Sequence, residues 1–177
     1  MSKQPKHLAR KTIYQSPWVN LHLDRVKLPS GKIIEEYHTV EHVKGGVSAL
    51  ITNAKGEILM IQNLRYRQEK PSWEIPAGSI EEGETAIEAA KREVLEETGY
   101  TAINLRQLHS YLPSNGISTE VLDVVFGEVK DANQVEFDTD EVESVHWLNK
   151  DEVKRMIYSG EINDGCSLVP LLLYLNQ

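Results

Sequence analysis

The chain has 177 residues, with 27 Asp and Glu against 19 Lys and Arg, for a formal charge of −8. Hydrophobic residues make up 40% and charged residues 26%, ordinary values for a globular protein of one domain and at most a small appendage. A single cysteine, Cys166, excludes an intrachain disulfide and a thiolate zinc centre; the acidic balance speaks against nonspecific nucleic-acid binding.

Residues 1–11 carry Lys3, Lys6, Arg10 and Lys11 with no acid and no apolar run. They read as a loose basic lead-in rather than a secretory signal. From there the pattern turns β-like. Val19, Leu21 and Leu23 alternate with polar residues, and Val26 and Leu28 continue on the opposite parity, so a bulge is expected near Asp24-Arg25. Pro29-Ser30-Gly31 is a turn, and 33–43 is the returning strand. Residues 1–43 are thus expected as a separate β extension, a hairpin or small antiparallel sheet, ahead of a main domain over 44–177.

In that domain, 47–52 and 57–63 bracket Asn53-Ala54-Lys55-Gly56, a hairpin signature. Trp73-Glu74-Ile75 is a short strand. Thr85 to Thr98 is the clearest helix: Thr85 with Glu88 three residues on forms a capping box, and Gly99 is the stop. Strands near 102–111, 120–129 and 143–148 follow, then helices near 150–159 and 166–175. The last apolar run, 168–175, contains Pro170 and is too short to cross a bilayer. Strands on both sides of a central helix, without strict alternation, indicate an α/β fold with a mixed sheet packed against helices.

The chemistry concentrates in Gly78 to Tyr100, GSIEEGETAIEAAKREVLEETGY. At 100° per residue Glu93, Glu96 and Glu97 share one side of the helix, the side that also carries Ala86, Ala89 and Ala90. Like charges at these spacings repel, and desolvating them requires compensation. Divalent cations supply it, because carboxylates are the preferred ligands of Mg²⁺ and Mn²⁺. Arg92 is placed to hold neighbouring carboxylates, and Glu84 sits at the helix start. A solvated acidic face is the plain alternative.

Gly78, Glu84, Arg92, Glu93, Val94, Glu96, Glu97 and Gly99 stand in the register of the Nudix box, departing from it only at Tyr100, where an aliphatic residue is usual. The chain therefore resembles the Nudix hydrolases over roughly residues 44–177. The resemblance implies an α/β/α sandwich around a mixed sheet and hydrolysis of a nucleoside diphosphate linked to another moiety, with Mg²⁺ as cofactor and Mn²⁺ as substitute. It implies Glu93, Glu97, Glu96 and the carbonyl of Ala77 as metal ligands, with Arg92 orienting them.

The stretch 63–78, NLRYRQEKPSWEIPAG, resembles the segment before the box in ADP-ribose pyrophosphatases and related nucleoside-diphosphate-sugar hydrolases. It implies Arg65 and Glu74 as substrate contacts; a surface ion pair is the alternative for Arg65. Tyr111 to Glu120 resembles a substrate loop of that branch, with Ser118 as a contact and Pro113 near the usual proline, but Asn115 stands where a proline is usual. For the general base Glu141 aligns best and Glu120 second. The branch also implies a homodimer through an N-terminal sheet exchanged between subunits, with Trp18 stacking on a base or else filling the hairpin core. The expectation is a cytoplasmic enzyme acting on a nucleotide sugar, ADP-ribose first, with neither a nucleic-acid nor a membrane partner. The alternatives are another Nudix substrate (a dinucleoside polyphosphate, a nucleoside triphosphate or an RNA 5′ end) or a non-catalytic nucleotide-sugar sensor.

Overall fold

The computed structural model describes residues 3–130 and 134–176. The chain divides into two compact units, Met1–Gly45 with Leu112–Val121, and Gly46–Tyr111 with Leu122–Gln177.

The first unit is an antiparallel sheet of β1 (Lys6–Gln15), β2 (Val19–Lys27) and β3 (Ile33–His42), in that order. The lead-in expected over residues 1–11 is corrected here, because β1 begins at Lys6 and pairs with Lys27. The cause is legible in the burial. All ten residues of β1 are exposed, so no apolar alternation marks the strand; backbone pairing to β2 makes it. Arg10 anchors it with a bidentate grip on the buried Asp24, at 2.7 and 2.8 Å. Asp24 also accepts from Thr39 Oγ1 at 3.3 Å. The expected bulge is present as a register shift between Asp24 and Val26. At the β2–β3 turn, Gly31 N–H donates to the Leu28 carbonyl, and its φ of 88° lies in the left-handed region that glycine tolerates.

The second unit is a mixed sheet between two helical layers. Its strands are β4 (Gly46–Asn53), β5 (Ile58–Asn63), β6 (Ser72–Glu74), β7 (Ala77–Ser79), β8 (Ile103–Tyr111), β9 (Leu122–Val129) and β10 (Val142–Leu148). The order is β10-β5-β4-β9-β8, with β6 beside β5 and β7 beside β4. Only β4 and β9 run parallel among these pairs. The helices are α1 (Ala86–Thr98), α2 (Lys150–Ser159) and α3 (Gly165–Leu175).

β4 and β5 are near-continuous apolar runs because both of their faces are buried. Val47, Ala49, Ile51 and Leu59 pack with Ala89, Ala90 and Val94 of α1. The alternate residues Leu50, Ile58 and Met60 pack with Val153, Met156 and Leu171 of α2 and α3. Each buried Val, Leu, Ile or Met side chain among them contributes roughly 1.5–3 kcal/mol by leaving water. One sheet thus carries two cores, and the α1 core fixes where the acidic face of that helix must lie. β7, three residues including a glycine, is too short to announce itself by periodicity; it pairs antiparallel with Gly46–Ser48.

Candidate functional site

The site grows from the two ends of α1. Its start is set by the capping box: Thr85 Oγ1 accepts from Glu88 N–H, and the Glu88 carboxylate accepts from Thr85 N–H. Its end is set by Gly99, at φ 70°, where a Cβ would stand 2.1 Å from the Val135 carbonyl oxygen. Ala89, Ala90 and Val94 lock the rotation of the helix. Glu93 and Glu97, one turn apart, are thereby turned toward β7.

Gly78 permits that approach, since a Cβ there would lie 2.0 Å from Glu93 Oε1. Next to it, Ala77 N–H donates to Glu97 Oε2 at 2.9 Å. Glu97 is only 4% exposed. Burial raises its pKa to about 8; Glu93 and Glu141 push in the same direction, while the Ala77 amide and Arg65 oppose them. Burial also raises Glu93, against the pull of Arg92.

Arg92 is the hub of the other acids. It donates to both carboxylate oxygens of Glu84 at 3.0 Å, to Glu93 at 2.7 Å, to Glu96 at 3.1 Å and to the Ser79 carbonyl at 2.9 Å. Glu84 completes its own hold on the loop by accepting from Glu81 N–H at 3.0 Å. One guanidinium therefore fastens the glycine-rich loop to the helix and fixes three carboxylates. Glu97 is outside its reach.

Arg65 follows β5. It donates from Nε to Glu74 Oε1 at 3.1 Å and from Nη2 to the other oxygen, a fork-to-fork pair with a buried carboxylate. Its guanidinium is held charged by Glu74, with Glu97 and Asp164 adding attraction. Arg65 and Glu74 line a cleft of about 450 Å³ with Arg67, Ser72, Asn163 and Asp164. Asn163 and Asp164 have no local mark of a site. Asp164 is simply the N-cap of α3, and only the tertiary fold brings it to Arg65 from 99 positions along the chain.

Glu141 sits in the loop before β10. Its carbonyl accepts from Leu64 N–H at 2.7 Å, beside Arg65, and its charge bears on Glu93 and Glu97. The same loop is tied to the end of α1 by Asp138 N–H to the Glu96 carbonyl and Gln134 Nε2 to the Thr98 carbonyl. Ala77, Arg92, Glu93, Glu96, Glu97, Arg65, Glu74 and Glu141 thus all lie in the second unit. Trp18, Ser118 and Glu120 lie in the first. There Glu120 pairs with His42 at 3.6 Å, and Ser118 Oγ accepts from Glu120 N–H at 3.0 Å. Trp18 is 67% exposed, with Lys44 Nζ 5.6 Å from its ring centroid, so it does not fill the core of its sheet.

Among the described residues, no three His, Cys, Asp or Glu side chains form a ready-made metal cage. The donor set nevertheless suits Mg²⁺, which is commonly bound through one or two carboxylates and completed by water and phosphate oxygens. Glu93 and Glu97 are such a pair, the first half-buried and the second buried, and each raises the other's cost of carrying charge.

Comparison with known proteins agrees with this geometry. The NUDIX domain profile matches residues 43–164, and that of the nucleoside diphosphate sugar hydrolase N-terminal domain matches residues 6–40. The ADP-ribose pyrophosphatase of Bacillus subtilis (strain 168) is 32% identical over 93% of this chain and 89% of its own length. The methanol dehydrogenase activator of Bacillus methanolicus is 31% identical over 94% and 90%. The ADP-ribose pyrophosphatase of Escherichia coli (strain K12) is 27% identical over 93% and 84%. Among solved structures, an ADP compounds hydrolase superposes with a TM-score of 0.85 at 18% identity, covering 99% of this chain and 95% of that one, which is a likeness of fold.

Proposed function

This chain belongs to the NUDIX family and is a Nudix pyrophosphohydrolase, and we propose that it hydrolyses the diphosphate linkage of nucleoside diphosphate sugars, ADP-ribose first among them. The products are a nucleoside monophosphate and a sugar phosphate. The observation that carries the reading is the joining of two elements in one unit: the half-buried Glu93 beside the buried Glu97, and the cleft headed by the Arg65–Glu74 fork. The match of residues 6–40 to an N-terminal domain of nucleoside diphosphate sugar hydrolases supports the same substrate class.

In this mechanism Glu93, Glu97, Glu96 and the Ala77 carbonyl hold Mg²⁺, for which Mn²⁺ can substitute. The dication, when bound, neutralises diphosphate charge and acidifies water. Arg92 keeps Glu93 and Glu96 aimed by its hydrogen bonds. Arg65, braced by Glu74 and lining the cleft, binds a phosphate oxygen through the in-plane N–H groups that its fork with Glu74 does not use. Glu141 accepts the proton of the attacking water, with Glu120 as the second candidate. Glu141 is the first because its exposed side chain carries a charge that bears on both Glu93 and Glu97. Trp18, in the N-terminal extension (residues 1–43), and Ser118, in the hydrolase domain (44–177), are further substrate contacts in this reading. The N-terminal extension forms a homodimer through its sheet, a role supported by the exposed Leu8, Ile13, Tyr14 and Trp18. No helix of the described residues is long and apolar enough to cross a membrane, and the cytoplasm is the proposed location.

The test is a panel of ADP-ribose, ADP-glucose, GDP-mannose, UDP-glucose, NADH and nucleoside triphosphates with Mg²⁺, products resolved by ion-exchange chromatography. AMP and ribose 5-phosphate from ADP-ribose are expected. Release of pyrophosphate from a triphosphate, with ADP-ribose untouched, would replace this substrate class by another.

A further inference from the structure

The departure from the Nudix box at Tyr100 leads to a second cleft. Tyr100 follows the C-terminal glycine of α1 and is 8% exposed. Its ring meets Trp147 of β10 edge to face, with centroids 5.4 Å apart. With Val129 they make the apolar wall of a cleft of about 300 Å³. Lys55, Lys130 and Glu57 complete it, so its charged lining is net positive in a chain of net charge −8.

The polar rim is built rather than incidental. Asn53 Oδ1 accepts from Lys55 N–H at 2.9 Å and Glu57 N–H at 3.1 Å, while Asn53 Nδ2 donates to Glu57 at 2.8 Å. The β4–β5 turn is thereby locked through the Lys55 backbone and the Glu57 carboxylate. Lys130 enters from the end of β9, which runs parallel to β4. The turn end of the cleft is set apart from the carboxylates, while Tyr100 at its wall stands three residues beyond Glu97. Ser48 of β4 is opposite Ala77, and Asn53 lies five residues further on, roughly 17 Å along the strand at about 3.3 Å per residue.

We propose that this cleft binds a mononucleotide. An aromatic wall suits a flat ring by stacking and edge contacts. Two lysines suit one phosphate as point charges. Glu57, as an acceptor, suits a ring amino group or a ribose hydroxyl. The volume lies at the small end of the range for ligand sites, which fits one ring system with one anionic group better than a dinucleotide. The site stands on its own lining and does not depend on the substrate proposed for the carboxylate site.

The experiment titrates AMP into the ¹⁵N-labelled full chain in EDTA and follows the three tryptophan indole N–H signals, assigned by Trp→Phe variants. Saturable movement of the Trp147 signal is expected, and it persists in Arg65→Ala, where binding at the other cleft is weakened. Adenosine, lacking the phosphate, should bind at least about fivefold more weakly. The double variant Lys55→Ala/Lys130→Ala should weaken the affinity read at Trp147 about tenfold and leave the turnover of nucleotide sugars unchanged. A Trp147 signal unmoved by about 10 mM AMP, or an undiminished affinity in the double variant, would overturn the site. Failure of the proposed hydrolysis would leave this result untouched, because the readout is binding without metal.

Discussion

Replacing Glu97 by Gln separates the two roles of that carboxyl, electrostatic burden and ligand. Its pKa in the fold is about 8 against an ordinary 4.5, chiefly through burial. The folded chain without metal therefore holds a proton that the unfolded chain releases, so stability falls as pH rises from about 4.5 to about 8 and is level outside that window. At about 1.36 kcal/mol per pH unit, the metal-free protein at pH 7 is destabilised by roughly 3 kcal/mol relative to its acid side. Gln keeps an oxygen for the Ala77 N–H and carries no charge, so the variant should lose most of this slope. Glu93, shifted the same way, leaves a shallower remainder. Urea unfolding followed by circular dichroism in EDTA, at steps between about pH 5 and pH 8.5, should show Glu97→Gln gaining on the parent by about 2–3 kcal/mol near neutrality. Added Mg²⁺ should then reverse the order: a ligand at a hundred times its dissociation constant stabilises by about 2.7 kcal/mol, and only the parent should receive it. Nucleotide-sugar turnover in the variant should be abolished. Parallel pH slopes for the two proteins in EDTA, or equal stabilisation by Mg²⁺, would refute the reasoning.

Three further outcomes follow from the same geometry. Gly78→Ala places a methyl 2.0 Å from Glu93 Oε1, so the strand or the carboxylate must shift; kcat should fall by about a hundredfold, while calorimetry shows a folded protein destabilised by about 1–3 kcal/mol. Arg65→Ala removes the partner of the buried Glu74 and should lower stability by roughly 1–3 kcal/mol and raise KM for the nucleotide sugar at least tenfold; Arg65→Lys, without the planar fork, should recover little of the KM. Asp24 is held down to about 2 by Arg10, so it contributes stability above the ordinary carboxyl range that is lost as pH falls from about 4 to about 2; acid unfolding of Asp24→Asn should lack this step, worth at most about 2 kcal/mol because Arg10 is partly solvated.

The part of the site carried by α1 was legible in the sequence because local rules govern it. Thr85, Glu88 and Gly99 mark the helix ends, and the helical wheel puts the glutamates on one side. The contact of Gly78 with Glu93 was not legible, because it joins a strand to the helix and only tertiary packing brings the two together. β1 was illegible because none of its residues is buried, and burial periodicity is what a strand writes into a sequence. Asp164 was illegible for a different reason: a helix cap looks the same whether or not its charge faces an arginine 99 residues away. Likewise, a chain read as one string cannot show that residues 112–121, flanked by β8 and β9, pack with the N-terminal sheet.

The net charge of −8 is not spread evenly, and its distribution says what the site requires. Residues 78–100 contain seven acids and two bases. Of these acids, Glu84, Glu93 and Glu96 share Arg92, and Glu88 is absorbed by the helix cap. Glu97 is buried with only a backbone amide and the more distant Arg65 to favour its charge. A fold selected for stability alone would replace it, since a neutral side chain of the same shape keeps the hydrogen bond and loses the repulsion. Retaining a destabilised carboxylate beside a second one is therefore the mark of a partner that must supply positive charge. The same pair would repel a diphosphate if it were left uncompensated. Cation and substrate thus depend on one another at this site: each offsets the charge that makes the other unfavourable, and the affinity of either should rise when the other is present.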